Sequence, residues 1–175
     1  MNKKGAFFKE EQRFTQWWLW LILVPIIVGA VIFMVASTYQ QLILGEPFGD
    51  RPMSNLGLVV ANLFTLLVGV GLPVAILTTK LAVFVERTQL RVKFSYLANK
   101  RVPVSEIASF RVVNYSPIRE YGGWGVRYSL KGKRWAYNVK GNIGVEIDLA
   151  DGRKWLIGSQ RPEELAEAIA KAKKE

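Results

Sequence analysis

Residues 17–38 are WWLWLILVPIIVGAVIFMVAST, a run that contains no charged side chain. A helix of about 22 residues, at roughly 1.5 Å per residue, covers the roughly 30 Å hydrocarbon core of a membrane. A secretory signal peptide has a shorter apolar region and a small-residue cleavage site, and no convincing A-x-A pattern follows this run. The stretch therefore predicts an uncleaved membrane span.

A second apolar run, residues 56–78, is also uncharged, and Lys80 follows it almost at once. The loop between the two runs contains Gly45, Pro47 and Pro52, which are residues that break helices. Tryptophans cluster at the start of the first run, where interfacial aromatic side chains are expected. Residues 17–79 are thus predicted to form a transmembrane hairpin with spans at about 17–38 and 56–78.

The orientation of this hairpin follows from the distribution of lysine and arginine. The loop between the runs has only Arg51 against Glu46 and Asp50, whereas basic residues dominate both flanks. Cytoplasmic segments carry such an excess of positive charge. We therefore predict a multi-pass protein of the inner (cytoplasmic) membrane with both termini cytoplasmic, residues 1–16 being a cytoplasmic N-terminal segment.

From Lys80 onward, apolar residues alternate with polar ones, as in half-buried strands. Strands are predicted at residues 81–85, 90–96, 107–115, 125–130, 135–139, 143–149 and 154–158. Asp151 and Gly152 predict a two-residue type I′ hairpin turn, in which both central residues have positive φ. A C-terminal helix is predicted to start at Pro162 and to place Leu165, Ile169 and Ala172 on one apolar stripe.

This element order, with the segments Arg119-Glu-Tyr-Gly-Gly-Trp-Gly125 and Gly158-Ser-Gln-Arg-Pro-Glu-Glu164, resembles a family of bacterial and archaeal membrane proteins that carry a bacterial pleckstrin-homology-like domain. The resemblance covers essentially the whole chain. It implies an α+β membrane protein in which a two-helix transmembrane hairpin precedes a small antiparallel pleckstrin-homology-like β-barrel with a C-terminal helix. The cytoplasmic domain would be residues 80–175. The resemblance transfers no functional residues.

The composition argues against most enzyme classes. The chain contains no cysteine and no histidine, which removes thiolate nucleophiles, histidine acid–base chemistry and the usual zinc sites. Ser159 has no histidine to activate it, and no carboxylates are spaced for a metal. We predict no enzymatic activity, no cofactor and no metal. The net charge of +10 is attributed to membrane topology, and nucleic acid is not expected as a partner.

One segment concentrates amphipathic aromatic and basic side chains. The candidate contacts with anionic lipid or with a protein partner are Arg119, Tyr121, Trp124, Arg127, Lys131, Lys133 and Arg134. Arginine binds phosphate or carboxylate bidentately, and tyrosine and tryptophan suit an interface. In the alternative interpretation the aromatics belong to the core, the arginines pair with nearby acids, and the lysines mark a solvated hairpin tip.

Asn62 is the strongly polar residue deep in the second run, and it either faces a lumen or bonds the neighbouring helix. Three functions remain open. The first is a membrane-tethered, non-enzymatic interaction module that binds a membrane or cytoplasmic protein at the cytoplasmic membrane face. The second is a sensor of anionic lipid headgroups, and the third is an oligomeric channel or transporter subunit. Membrane lipids are expected partners in each case, and a homo-oligomer is possible.

Overall fold

The computed structural model describes residues 6–129 and 133–175. The chain divides into two compact units, a helical one of Thr15–Thr78 and a second one that combines the residues up to Phe14 with Thr79–Glu175. In chain order the helical unit is therefore an insertion within the other unit. The predicted α+β class is confirmed, and the C-terminal domain needs residues 6–14 added to the predicted range of 80–175.

The helical unit consists of two long apolar helices. The first is α1 (Trp17–Ser37), which continues as a π-helical stretch at Thr38–Ile43. The second is built from α2 (Asn55–Leu66), a π-helical turn at Leu67–Gly71 and α3 (Leu72–Thr78). With 27 and 24 residues, both are long and apolar enough to cross a membrane, and few of their residues are buried within the protein. This supports membrane association.

The two helices approach each other closely at a pair of small residues. A side chain added at Gly69 would collide with the Cβ of Ala30, so glycine is required where the second helix crosses the first. Small residues let helix backbones approach in membranes, where packing rather than the hydrophobic effect holds helices together. Gly69 therefore has a packing role.

The first sheet of the other unit has four antiparallel strands in the order β1-β2-β3-β4. They are β1 (Ala6–Arg13), β2 (Lys80–Glu86), β3 (Gln89–Phe94) and β4 (Ala98–Pro103). Neither β1 nor β4 was predicted. On β1 two of the buried side chains are the polar Glu10 and Gln12, and β4 is mostly polar, so neither strand shows alternating hydrophobicity.

Polar contacts made by its buried side chains hold β1 in place. The carboxyl group of Glu10 accepts hydrogen bonds from the hydroxyl of Ser159 at 2.6 Å and from the backbone N–H of Gln160 at 2.8 Å. The Gln12 amide donates to the carbonyl of Gly158 at 2.8 Å. Ser159, which has no histidine to activate it, is thus a buried side chain that donates a hydrogen bond to Glu10.

The second sheet has five strands in the order β5-β8-β9-β7-β6. They are β5 (Ile107–Asn114), β6 (Gly125–Ser129), β7 (Arg134–Asn138), β8 (Ile143–Leu149) and β9 (Lys154–Gly158). Because β7 and β9 run parallel, the prediction of a purely antiparallel domain is wrong. The predicted pleckstrin-homology-like barrel is not confirmed either, since the described strands form two separate, open sheets.

The central core lies between the two sheets and the C-terminal helix α5 (Pro162–Lys174). This helix starts at Pro162, and its predicted apolar stripe is buried in that core, with Leu165 and Ile169 fully inaccessible. Both predictions are confirmed. A 3₁₀ turn at Val104–Glu106 leads into β5, and a short helix, α4 (Pro117–Tyr121), precedes β6.

The predicted hairpin at Asp151 and Gly152 exists, but its turn type differs from the prediction. Among the described residues of this turn only Gly152 has positive φ, at 86°. The N–H of Gly152 bonds the carbonyl of Leu149, and the N–H of Leu149 bonds the carbonyl of Arg153. The loop is therefore three residues long, with a type I turn followed by a left-handed glycine, rather than a two-residue type I′ turn.

Candidate functional site

The aromatic and basic segment forms a short helix with its own start and stop signals. Ser116 caps α4 by accepting from the N–H of Arg119 at 3.4 Å, while Glu120 accepts from the N–H of Ser116 at 2.7 Å. Gly122 ends the helix in the left-handed conformation, with φ of 70°. Serine caps, proline in the first turn and a terminal glycine are sequence signals of a helix, and they were missed because the helix has only five residues.

Tyr121 is a core residue of the outer side of the second sheet. It packs with Tyr115, Ala136 and Leu156, on the side opposite the central core. The two tyrosine rings meet edge to face with centroids 5.8 Å apart. Burial raises the pKa of Tyr115 to about 12 and also raises the pKa of Tyr121. The burial of Tyr121 therefore supports the alternative interpretation, in which it is a core aromatic residue, and does not support a role as a ligand contact.

Trp124 and Arg127 stabilise the loop that follows α4. The indole N–H of Trp124 donates to the carbonyl of Gly141 at 3.2 Å, which ties the loop to the turn between β7 and β8. The Nε of the exposed Arg127 donates to the carbonyl of Trp124 at 3.2 Å. Trp124 is half-buried, so a large part of its surface serves the fold rather than a partner.

Arg134 is neutralised by an acid on the same outer face of the second sheet. Its guanidinium forms an ion pair with Glu146, which also accepts from Arg111 at 2.6 Å. Arg134 and Glu146 expose only 18% and 15% of their side chains. An arginine that already shares a carboxylate has little positive charge to offer an external anion.

The remaining predicted cations are solvent-exposed where the structure describes them. Arg119 and Lys133 are exposed, and Lys133 lies in the turn between β6 and β7 with φ of 47°. Lys131 lies outside the described residues. The structure thus leaves Arg119, Arg127 and Lys133 as exposed cations.

A different pair of side chains stands out on the same hairpin. Tyr128 and Trp135 lie opposite each other on β6 and β7, with ring centroids 5.2 Å apart. They expose 46% and 43% of their surface, although they share the sheet face that carries the buried Tyr137. Their exposure could not be foreseen, because it depends on where the central core ends.

Tyr128 also lies on an edge strand. β6 is the last strand in the sheet order, and no described strand pairs with its outer side. Edge strands present unpaired backbone donors and acceptors that another chain can bind. An exposed aromatic pair next to such an edge is the feature of the second sheet best suited to a macromolecular contact.

Asn62 bonds the neighbouring helix within the helical unit. Its amide N–H donates to the hydroxyl of Thr38 at 2.9 Å, and its carbonyl accepts from the hydroxyl of Ser37 at 3.2 Å. Only 8% of Asn62 is exposed. Both halves of the amide are therefore satisfied by the first helix, which supports the packing interpretation rather than a lumen-facing one.

The described residues contain no group of three or more histidine, cysteine or acidic side chains arranged to hold a metal. No protein-family model matches the chain, and no curated protein is detectably similar to it in sequence. The resemblance to the family with a pleckstrin-homology-like domain therefore stays an expectation from the sequence.

Proposed function

We propose that this chain is a membrane-tethered, non-enzymatic interaction module that binds a protein partner at the cytoplasmic membrane face. The observation that carries the proposal is the exposed Tyr128–Trp135 pair beside the open edge of β6. Tyrosine and tryptophan are enriched among the residues that dominate binding energy in protein interfaces. A partner strand that pairs with β6 would gain backbone hydrogen bonds and aromatic contacts together.

Tethering makes such a modest surface sufficient. Two apolar helices restrict the module to the membrane, so that its effective concentration toward other membrane-bound proteins is high. A contact of a few side chains then supports an interaction that would be weak in solution.

The two alternative functions have less support. A lipid sensor built on the segment from Arg119 to Arg134, here called the α4 segment, needs converging cations, but Arg134 is paired with Glu146 and Tyr121 is buried. A channel needs a polar lining, but the amide of Asn62 is bonded to Ser37 and Thr38. Neither alternative is carried by a specific contact in the described residues.

The test places a photoreactive amino acid at position 128 of the full chain in its native membranes. Val112 on the opposite edge strand, β5, is also exposed and provides the matched control position. We expect a discrete protein crosslink from position 128, none from position 112, and loss of the first in a Trp135→Ser background. Crosslinks to lipid alone, or equal yields from both positions, would refute the proposal.

A further inference from the structure

The outer face of the first sheet carries a concentration of positive charge that the α4 segment lacks. On strands β1 to β4, side chains pointing toward the central core are largely apolar, whereas those on the opposite side include six lysines and arginines. We call the following six residues the basic face: Lys9, Arg13, Lys80, Arg91, Lys93 and Arg101.

The strand register brings these residues together. Lys9 pairs with Phe84, Phe84 with Arg91, and Arg91 with Arg101, which makes one continuous row across all four strands. In the next row toward the helical insertion Lys93 lies opposite Ala82. In the last row Arg13 lies opposite Lys80. The positive charges therefore lie on one continuous surface of the sheet.

Acidic residues neutralise little of this face. Glu11 lies 3.1 Å from Lys9 and 3.9 Å from Lys80. The hydrogen bond with Lys9 and the neighbouring positive charges lower the pKa of Glu11, which keeps it ionised. Glu86 lies at the opposite end of β2 from Lys80 and accepts from Gln89 at 2.6 Å. The six cations outnumber these two acids.

The end of the sheet that carries Arg13 and Lys80 also has an exposed apolar tip. The turn between β3 and β4 is fixed beside Lys80, whose N–H donates to the hydroxyl of Ser95 at 2.8 Å. Tyr96 and Leu97 follow in this turn and expose 72% and 60% of their surface. An aromatic residue and a leucine beside lysine and arginine have the composition of a segment that lies in a membrane interface.

Only short segments of chain join this end of the sheet to the apolar helices. Arg13 precedes Trp17 by four residues and Lys80 follows Thr78 by two. A fully extended chain spans at most about 3.6 Å per residue, so these separations are no more than roughly 14 Å and 7 Å. Electrostatic attraction to a charged membrane surface acts over about 8 Å at physiological salt. A membrane surface that the helices enter satisfies both the covalent limit and the sign of the charge.

We infer that the basic face and its Tyr96–Leu97 tip dock on anionic phospholipid headgroups of the same membrane that the helices enter. Cationic side chains bind the headgroup phosphates, and the tip enters the interface between headgroups and acyl chains. This contact is separate from the protein contact at β6 and does not depend on it.

The experiment uses the full chain in nanodiscs, so that the sheet is tested at the membrane that the apolar helices enter. The chain has no cysteine, so Leu97→Cys provides a single attachment point for an environment-sensitive fluorophore. Ala150→Cys, in the exposed turn between β8 and β9, is the control position. Emission is compared in discs of phosphatidylglycerol with phosphatidylcholine and in discs of phosphatidylcholine alone.

We expect blue-shifted emission from position 97 in the anionic discs only, and loss of the shift at high salt. The triple variant Arg91→Gln, Lys93→Gln, Arg101→Gln should lose the shift. The matched triple variant Arg119→Gln, Arg127→Gln, Lys133→Gln, which removes the same charge from the α4 segment, should keep it. Circular dichroism checks folding, and Lys93→Gln alone replaces the first triple variant if that variant does not fold.

Three outcomes would overturn the inference. They are equal emission in both lipid compositions, equal loss in the two triple variants, and a shift produced in phosphatidylcholine discs by added single-stranded RNA. The last would assign the basic face to nucleic acid instead. None of these readouts involves position 128, so failure here is distinguishable from failure of the proposed protein contact.

Discussion

The outer faces of the two sheets both carry basic residues, but their acids are placed differently. On the second sheet, Glu146 joins Arg111 and Arg134, and Asp148 lies 3.8 Å from Lys154. On the first sheet, Glu11 lies near Lys9 and Lys80, and Glu86 accepts from Gln89. The number of lysines and arginines therefore does not identify a binding surface, because strand register decides which of them meet an acid.

The largest effect is expected inside the first sheet, where neighbouring acids on β1 face opposite ways. Glu10→Ala leaves the hydroxyl of Ser159 and the N–H of Gln160 without their acceptor, at a cost of about 1–3 kcal/mol for each buried group that stays unsatisfied. The free energy of unfolding, measured by chemical denaturation in detergent, should fall by about 3 kcal/mol. A loss no greater than that of Glu11→Ala would show that β1 is not held by Glu10.

The tyrosines of the second sheet provide a pH test of comparable size. Burial raises the folded-state pKa of Tyr115 to about 12 from an ordinary value of 10.0. The stabilisation is therefore complete below pH 10 and is lost as pH rises from about 10 to 12, by up to roughly 2–3 kcal/mol. Denaturation midpoints across this range check it. Tyr115→Phe should be less sensitive to alkaline pH, and a variant as sensitive as the parent chain would contradict the assignment.

A smaller effect is expected where the second sheet balances its charge. Glu146→Gln leaves the mostly buried Arg134 without its ion pair, and should lower the free energy of unfolding by about 1–2 kcal/mol. Asp148→Asn is the matched control, because Asp148 and Lys154 are about half exposed and such surface pairs contribute under about 1 kcal/mol. Equal losses in the two variants would remove the distinction between the two acids.

The smallest effect on stability is expected at Glu11. Its substitution is expected to strengthen the contact of the basic face with anionic lipid instead. Glu11→Gln removes an exposed partner of Lys9 and should change the free energy of unfolding by less than about 1 kcal/mol. The basic face then has one acid fewer. The blue shift at position 97 in anionic nanodiscs should persist to higher salt, and an unchanged salt dependence would argue against the lipid contact.

Sequence pattern predicted the elements whose apolar residues follow a clear period. The two apolar helices, seven of the nine strands and α5 were found in this way, because Leu90, Val92 and Phe94 on β3, or Leu165 and Ile169 on α5, recur at the expected spacing. β1 was missed because Glu10 and Gln12 occupy buried positions. A buried polar side chain is recognised only when its distant partner, here Ser159, is known.

The candidate site was predicted less well than the fold, for a similar reason. Composition alone selected the segment from Arg119 to Arg134, but whether a side chain there is available depends on tertiary neighbours such as Glu146 and Ala136. The parallel pairing of β7 with β9 could not be predicted either, because it joins strands that are not consecutive in the sequence. The basic face can be recognised only from the register of four strands, and two of these, β1 and β4, were not predicted.

The pairing of β1 with β2 has a consequence for biosynthesis. These strands are hydrogen-bonded neighbours, yet the entire helical insertion is made between them, so β1 leaves the ribosome long before its partner. If only one of the two helices crossed the membrane, β1 and β2 would be left on opposite sides and the first sheet would lack its edge strand. If the helices enter a membrane, completion of the domain therefore requires both ends of the helical insertion to lie on the same side of it. A chain with the wrong topology would be left with an exposed strand edge.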